Sequence, residues 1–227
     1  MEQAFDRDFW ERRWDQVVRE HPEVVATRPP NGHLTSEVGE LEPGRALDAG
    51  CGHGGEALWL AAGGWRVDAV DFSPTALQAG RSAALDLGAD VADRIAWIEA
   101  DLGRWSPPPQ HYDLVACLYV HIAGSVAEFV TRLARGVAPR GTLLLVGHRP
   151  IDPETGADTP AAGQVQVSVG EAVQAIRALE AAGGWRIDVA EERRRAGEGS
   201  GVDAVIRAVA PDRPSAQAEL SPAFHTT

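Results

Sequence analysis

The densest chemical signal in the chain is the run Asp48-Ala49-Gly50-Cys51-Gly52-His53-Gly54-Gly55, where an acid leads into four glycines. Glycines so close together let a backbone turn sharply and approach a ligand closely. Asp71 and Asp101 recur after later apolar runs. A carboxylate at such a strand end can accept hydrogen bonds from both hydroxyls of a ribose, as expected for Asp71, or from the exocyclic amine of an adenine, as expected for Asp101. Proton transfer points to the histidines, whose charge changes near neutral pH. His121 in Tyr-Val-His-Ile and His148 in Gly-His-Arg-Pro are the candidate bases, with His33 a weaker one. His53, inside the glycine run, is placed to touch a cofactor rather than a substrate. Trp10, Trp14 and Tyr119 can form an aromatic lid or wall over an apolar acceptor, although tryptophans four apart on a helix face also suit plain core packing.

Two ligands compete for the glycine run. Gly50, Gly52 and Gly55 satisfy G-x-G-x-x-G and Asp71 lies 21 residues after Gly50, so the dinucleotide pattern is formally met and an NAD(P)-dependent oxidoreductase is one reading. Charge argues the other way. A pyrophosphate wants a helix N-terminus without competing carboxylates, yet Asp48 precedes the first glycine and Glu56 follows the last. A ligand carrying an ammonium and a sulfonium, S-adenosylmethionine, suits an acidic rim. Strand-end carboxylates can also point away, which keeps the dinucleotide reading open at this level.

These residues need a scaffold that gathers strand ends, and the hydrophobic periodicity supplies one. Strands are expected at residues 45–49, 65–70, 94–99, 112–119 and 141–147, with helices over 56–62, 74–88, 126–135 and 170–182. Ser73 caps the second of these helices and Pro74 occupies its first turn. Residues 185–192 and 202–209 read as two more strands, joined by a glycine-rich loop too short for a crossover helix, so they must be antiparallel. The expected fold is α/β: a doubly wound, mostly parallel seven-stranded sheet with a terminal antiparallel hairpin, binding ligands beyond the carboxyl ends of its strands. Residues 41–210 would form the binding domain, 1–40 an N-terminal helical cover, and 211–227 a flexible tail. The Pro/Gly/Asp-rich connection 149–168, with Gly156 and Gly163 as hinges, is placed for a second lid.

Composition removes several alternatives. The 21 basic residues, all Arg, against 33 acidic ones leave a net charge of −12 on 227 residues, which argues against a nucleic-acid partner. Without lysine, neither a Schiff base nor a P-loop is available. Cys51 and Cys117 match no zinc spacing, so no metal is expected and both read as reduced thiols. The opening residues carry charges and tryptophans where a signal peptide would be apolar, and no apolar run is long enough to span a bilayer. A cytoplasmic protein without a membrane partner is expected. The Arg193–Arg195 cluster, beside Glu191 and Glu192, reads as a solvated strand edge.

Five segments in order, ALDAGCGHGGEALWLA (46–61), RVDAVDFSPTAL (66–77), IEADLGRW (98–105), HYDLVACLYVHI (111–122) and LARGVAPRGTLLLVGH (133–148), resemble the successive motifs of class I S-adenosylmethionine-dependent methyltransferases. The resemblance covers roughly residues 40–210 and implies a Rossmann-like methyltransferase fold. It implies that Gly50, Cys51, Gly52, His53 and Gly54 border the methionine part of the cofactor while Asp48 anchors the loop. Asp71 would hold the ribose, Phe72 would lie beside the adenine, Asp101 and Leu102 would meet its edge, and Cys117 and Leu118 would offer carbonyls to the ammonium. FWERRWD and PNGHL are similar to the N-terminal cover of small-molecule methyltransferases of the thiopurine and tellurite-resistance types. That implies a small O, N or S acceptor, touched by Trp10, Trp14, His33 and Tyr119, with a non-catalytic S-adenosylmethionine-binding protein as the alternative.

Overall fold

Apolar stretches punctuated by glycine and capped by Ser or Asn give fourteen elements among the described residues: α1 (Arg7–Glu20), α2 (Gly32–Val38), β1 (Arg45–Ala49), α3 (Gly55–Ala62), β2 (Arg66–Asp71), α4 (Pro74–Leu87), α5 (Ala89–Ala92), β3 (Ile95–Glu99), β4 (Tyr112–Leu118), α6 (Val126–Arg135), β5 (Val137–His148), α7 (Val169–Ala178), β6 (Arg186–Arg194) and β7 (Val202–Val209). The computed structural model describes residues 7–20, 28–122, 124–149, 156, 165–179, 184–194 and 201–212. Of the expected second lid over 149–168 only residues 149, 156 and 165–168 are described, and of the tail over 211–227 only 211 and 212.

The seven strands pair in the order β3-β2-β1-β4-β5-β7-β6. β1 to β5 run parallel, and β7 enters antiparallel between β5 and β6. The chain leaves β1 toward β2 and β3, then returns to place β4 on the other flank of β1. Strand order therefore reverses at β1 and β4, and their carboxyl ends frame the crevice where such sheets bind ligands.

Because side chains alternate along each strand, the sheet carries two cores. Leu47, Val115, Leu143 and Ile206 pack with Phe129 and Leu133 of α6 and Ile176 of α7. Ala46, Leu114, Leu144 and Val205 pack on the opposite side with Leu34 of α2, Leu60 of α3 and Leu77 of α4. Asp48, His148 and Asp203 share the parity of the second set, so alternation turns all three toward the face that α2 and α3 cover.

Helix starts follow the capping rules. Ser73, Ser125 and Ser168 each accept a backbone amide from the first turn of the helix they precede. α2, which periodicity does not announce, begins in the same way: the Asn31 side chain accepts the His33 and Leu34 amides, and Leu34 and Val38 are buried. β5 begins at Val137, four residues earlier than expected, and the pairing register with β4 shifts between Tyr112 and Leu114 to admit it. On the far edge, Arg193 pairs with the exposed Glu191 and the buried Glu37, so this arginine is tied down rather than left on a solvated edge.

Gly80 of α4 lets that helix approach the glycine loop. A Cβ there would stand 2.4 Å from the Trp97 ring and 2.8 Å from the His53 carbonyl. Gly80→Ala gains about 1 kcal/mol of helix propensity but must displace backbone, at about 1–3 kcal/mol. A net loss of stability in urea is expected, and a gain would show that the helix can retreat.

Candidate active site

After β1 the loop folds back on β2: the Gly50 and Cys51 amides both donate to the Val70 carbonyl, at 2.8 and 3.1 Å, and the Gly54 amide donates to the Cys51 carbonyl at 2.8 Å. Gly52 has φ of 53°, and a Cβ there would stand 2.6 Å from the Trp14 indole. Glycine is thus needed twice over, for the backbone turn and for the approach of α1. Trp14 lies 5.3 Å from the His53 ring, and Trp10 lies 4.6 Å from the His121 ring. α1 contains no fully buried residue, so its tryptophans cover the loop instead of entering a core.

Carboxylates crowd this loop. Asp48 is 2% exposed, accepts the Ala57 amide, and its Oδ2 meets no hydrogen-bond partner among the described residues. Burial, then the Glu56 and Asp71 charges, push its carboxyl well above the usual carboxylate range. Asp71 is also buried; its Oδ2 accepts the Gly52 amide and its Oδ1 the Ser73 amide, both at 2.9 Å, so it pins the loop. Burial raises its carboxyl despite those amides. Glu56 Oε1 accepts the Asn31 amide at 3.1 Å. Glu11 of α1 accepts the Thr75 hydroxyl, while its Oε2 is buried without a hydrogen-bond partner among the described residues. Buried acids gathered without positive charge are costly, and such a group suits a cationic ligand.

A second cluster lies across β4 and β5. Asp203 of β7 is 0% exposed, and its carboxylate is the hub. Its Oδ1 faces His148 Nδ1 at 3.1 Å, and its Oδ2 accepts the Tyr119 hydroxyl at 2.8 Å and faces His33 Nε2 at 3.2 Å. The Tyr119 hydroxyl in turn accepts from the Asn31 side-chain amide at 2.8 Å, and its ring stacks on His148 at 3.9 Å between centroids. Tyr119 adopts φ of 57°, a conformation that costs a non-glycine residue energy and is held by these contacts. Asn31 therefore ties the glycine loop, through Glu56, to the Asp203 cluster. His148 and Asp203 are direct partners across the β5–β7 ladder.

The two candidate bases differ in setting. Burial, then the neighbouring His148, lowers the His121 imidazole to about 4, which makes it a weak base at neutral pH. His148 keeps 28% of its side chain exposed and has a carboxylate at Nδ1. His53 is likewise lowered to about 4, by burial and then the Arg28 charge, so it is neutral beside the loop. Cys51 and Cys117 are buried free thiols; burial first, and nearby Asp48, raise both, so neither is a nucleophile. Asp101 is exposed beyond β3 and accepts the Gly103 amide at 2.8 Å, Leu102 is buried beside Gly50, and Phe72 and Leu118 are half-buried at the ends of β2 and β4. Sequence reasoning named His33, His148 and Tyr119 but missed Asp203, Asn31 and Glu11. The available signal for Asp203 was a lone acid inside the apolar strand Val-Asp-Ala-Val-Ile.

Comparison with known proteins decides the family. A methyltransferase-domain model matches residues 46–141, and a model of the tellurite resistance protein TehB matches residues 6–84, together reaching over more than half of the chain. Over residues 46–141 the chain is a methyltransferase domain, of the kind found in class I S-adenosylmethionine-dependent methyltransferases. S-adenosylmethionine is the cofactor that goes with such a domain. A ubiquinone biosynthesis O-methyltransferase from Alkalilimnicola ehrlichii is 37% identical over 109 residues, 47% of this chain and 42% of that enzyme. The match thus spans less than half the length of that curated relative. Among solved structures, phosphoethanolamine N-methyltransferase 2 of Haemonchus contortus, in complex with S-adenosyl-L-methionine, superposes with a TM-score of 0.69 at 16% identity, over 91% of this chain and 60% of that one. TehB of Haemophilus influenzae superposes with a TM-score of 0.64 at 15% identity, over 86% of this chain and 66% of that one.

For a class I methyltransferase the acidic loop makes chemical sense. The unpartnered Asp48 Oδ2 fits a cofactor that carries positive charge, and it would oppose a pyrophosphate. The strand order, with β7 antiparallel, likewise differs from the all-parallel dinucleotide-binding sheet.

Proposed function

We propose that this methyltransferase transfers a methyl group to the O, N or S atom of a small-molecule acceptor in the cytoplasm, with S-adenosylmethionine held by Asp48, Gly50, Cys51, Gly52, His53, Gly54, Asp71, Phe72, Asp101, Leu102, Cys117 and Leu118. The observation that carries this reading is the juxtaposition of two chemistries at one sheet edge: a group of buried acids around the loop after β1, and a histidine–carboxylate–tyrosine cluster at β4, β5 and β7. Bound S-adenosylmethionine supplies an electrophilic methyl carbon on a departing sulfur. The chain's own residues do the remaining work. Asp48, with Asp71 pinning the loop, presents negative charge to the cofactor; Trp10 and Trp14 exclude water from above; Tyr119 and His148 wall the acceptor side. Two buried thiols held as free cysteines accord with a reducing compartment. Among the described residues no helix is long and apolar enough to cross a membrane.

The test is incubation with methyl-labelled S-adenosylmethionine and a metabolite extract of the source cells. A small product heavier by one methylene is expected. Tight cofactor binding with no labelled product from any extract would favour the non-catalytic binding protein instead.

A further inference from the structure

We infer that Glu11 of α1 is a second acceptor for the vicinal diol of the cofactor's ribose, so that the N-terminal helix, and not the sheet alone, reads the sugar. The inference rests on the methyl-transfer reading above, with the ribose at the end of β2, and deepens it. A carboxylate oxygen buried without a hydrogen-bond partner costs free energy until a donor reaches it. Glu11 Oε2 is such an atom among the described residues, while Glu11 Oε1 accepts the Thr75 hydroxyl in the first turn of α4.

α1 lies across the carboxyl ends of β3, β2 and β1, which are neighbours in the sheet, and its residues meet them in that order. Arg7 pairs with Glu99 at the end of β3 at 2.6 Å, Glu11 meets Thr75 just beyond β2, and the Trp14 indole covers Gly52 just beyond β1. Glu11 therefore stands over the strand end where the sugar is expected. No residue of α1 is fully buried, so the core does not fix the seat of this helix and contacts such as these do.

The chemistry of the two acids at this strand end fits a diol. Asp71 uses Oδ2 on the Gly52 amide and Oδ1 on the Ser73 amide, which leaves each oxygen one further lone pair. Glu11 stands close enough to act on it: burial first, and the Glu11 charge among the weaker causes, raise the Asp71 carboxyl. Two neighbouring carboxylates repel each other. Two O–H donors on adjacent carbons relieve both, one hydroxyl going to each acid. The cationic end of the cofactor has its own acid in Asp48, which is 2% exposed and lies beside Glu56. The acids thus divide the work, Asp48 facing charge and the Asp71–Glu11 pair facing hydroxyls. A ligand without the hydroxyl that Glu11 accepts leaves a buried oxygen unpaired and loses affinity.

The test is calorimetry on the full-length protein with S-adenosylhomocysteine and its 2′-deoxy and 3′-deoxy ribose analogues. Wild type is expected to bind one of the two analogues about 20-fold more weakly through loss of the hydroxyl on Glu11. Glu11→Ala should bind S-adenosylhomocysteine about 20-fold more weakly than wild type does. Its penalty for that same hydroxyl should shrink to within about twofold, as expected when both partners of one contact are removed. Glu11→Gln, which keeps one neutral acceptor oxygen, should fall between the two. Arg7→Ala loosens α1 at an exposed contact and should weaken all three ligands by one common factor. Wild type gives a readout that needs no substitution. Trypsin cleavage after the exposed Arg12 or Arg13 of α1 should slow about tenfold when S-adenosylhomocysteine saturates the site, and less with the analogue that Glu11 cannot hold. Equal losses for all three ligands in Glu11→Ala, unchanged affinity for S-adenosylhomocysteine in that variant, a hydroxyl-selective loss in Arg7→Ala, or cleavage indifferent to ligand would overturn the proposal. Failure of wild type to bind S-adenosylhomocysteine would instead overturn the methyl-transfer reading.

Discussion

Asp48→Asn is expected to weaken S-adenosylmethionine binding by about 30-fold or more while raising the stability of the ligand-free protein at pH 8. The Asn side chain can still accept the Ala57 amide, so the loop keeps its hydrogen bond and loses only the charge. Removing one partner of a buried charge contact costs at least about 2 kcal/mol of affinity. The stability change has the opposite sign for a definite reason. Burial and the adjacent Glu56 and Asp71 raise the Asp48 carboxyl in the folded protein. Its favourable contribution is therefore present below the unfolded-state value and lost as pH rises through the folded-state value. Once ionised, the buried carboxylate is a burden that a cation relieves. Melting curves should show the variant above wild type at pH 8 and the gap shrinking toward pH 4. Equal calorimetric affinity for the two proteins would remove Asp48 from the cofactor site.

The second large effect is expected at Asp203. Asp203→Ala leaves the Tyr119 hydroxyl, His33 and the His148 ring around a vacated carboxylate position in a fully buried site. The loss of stability should be about 3–5 kcal/mol, a large share of the ~5–15 kcal/mol that holds a domain folded. Tyr119→Phe, which removes the hydroxyl that donates to Asp203 and accepts from Asn31, should cost about 1–2 kcal/mol. Urea denaturation measures both. A loss below about 1 kcal/mol for Asp203→Ala would mean that the cluster is not the organising feature of this edge.

The contrast between these two sites shows where sequence is informative. Asp48, the glycine loop and Asp71 were legible because a short run of residues encodes them: an apolar strand, a cluster of glycines, and an acid at the end of the next strand. The same locality made Ser73 and Pro74 a readable helix start, and the terminal hairpin followed from a loop too short for a crossover. The Asp203 cluster is assembled from α2, the residue after β4, the end of β5, and β7, whose sequence positions span 31 to 203. Only the β5–β7 register puts His148 opposite Asp203, and register is set by packing of both faces, not by local pattern. α2 escaped notice for a related reason. Its seven residues include His, Thr and Ser, which propensity disfavours, and it stands on the Asn31 cap and the burial of Leu34 and Val38. Asp71 illustrates a subtler gap: its position was foreseen, but its task of binding the Gly52 and Ser73 amides depends on how the loop folds back.

The acids at the rim of the sheet are expected to hold a sulfonium-type cofactor. A crystal of the full-length protein grown with S-adenosylhomocysteine tests this most directly. The ligand is predicted to lie over Gly50, Gly52 and Gly54 with its amino-acid end toward Asp48, its ribose toward Asp71 and Glu11, and its adenine beside Asp101 and Leu102. A ligand bound away from all of these acids, or a dinucleotide seated with its pyrophosphate on the glycine loop, would contradict it.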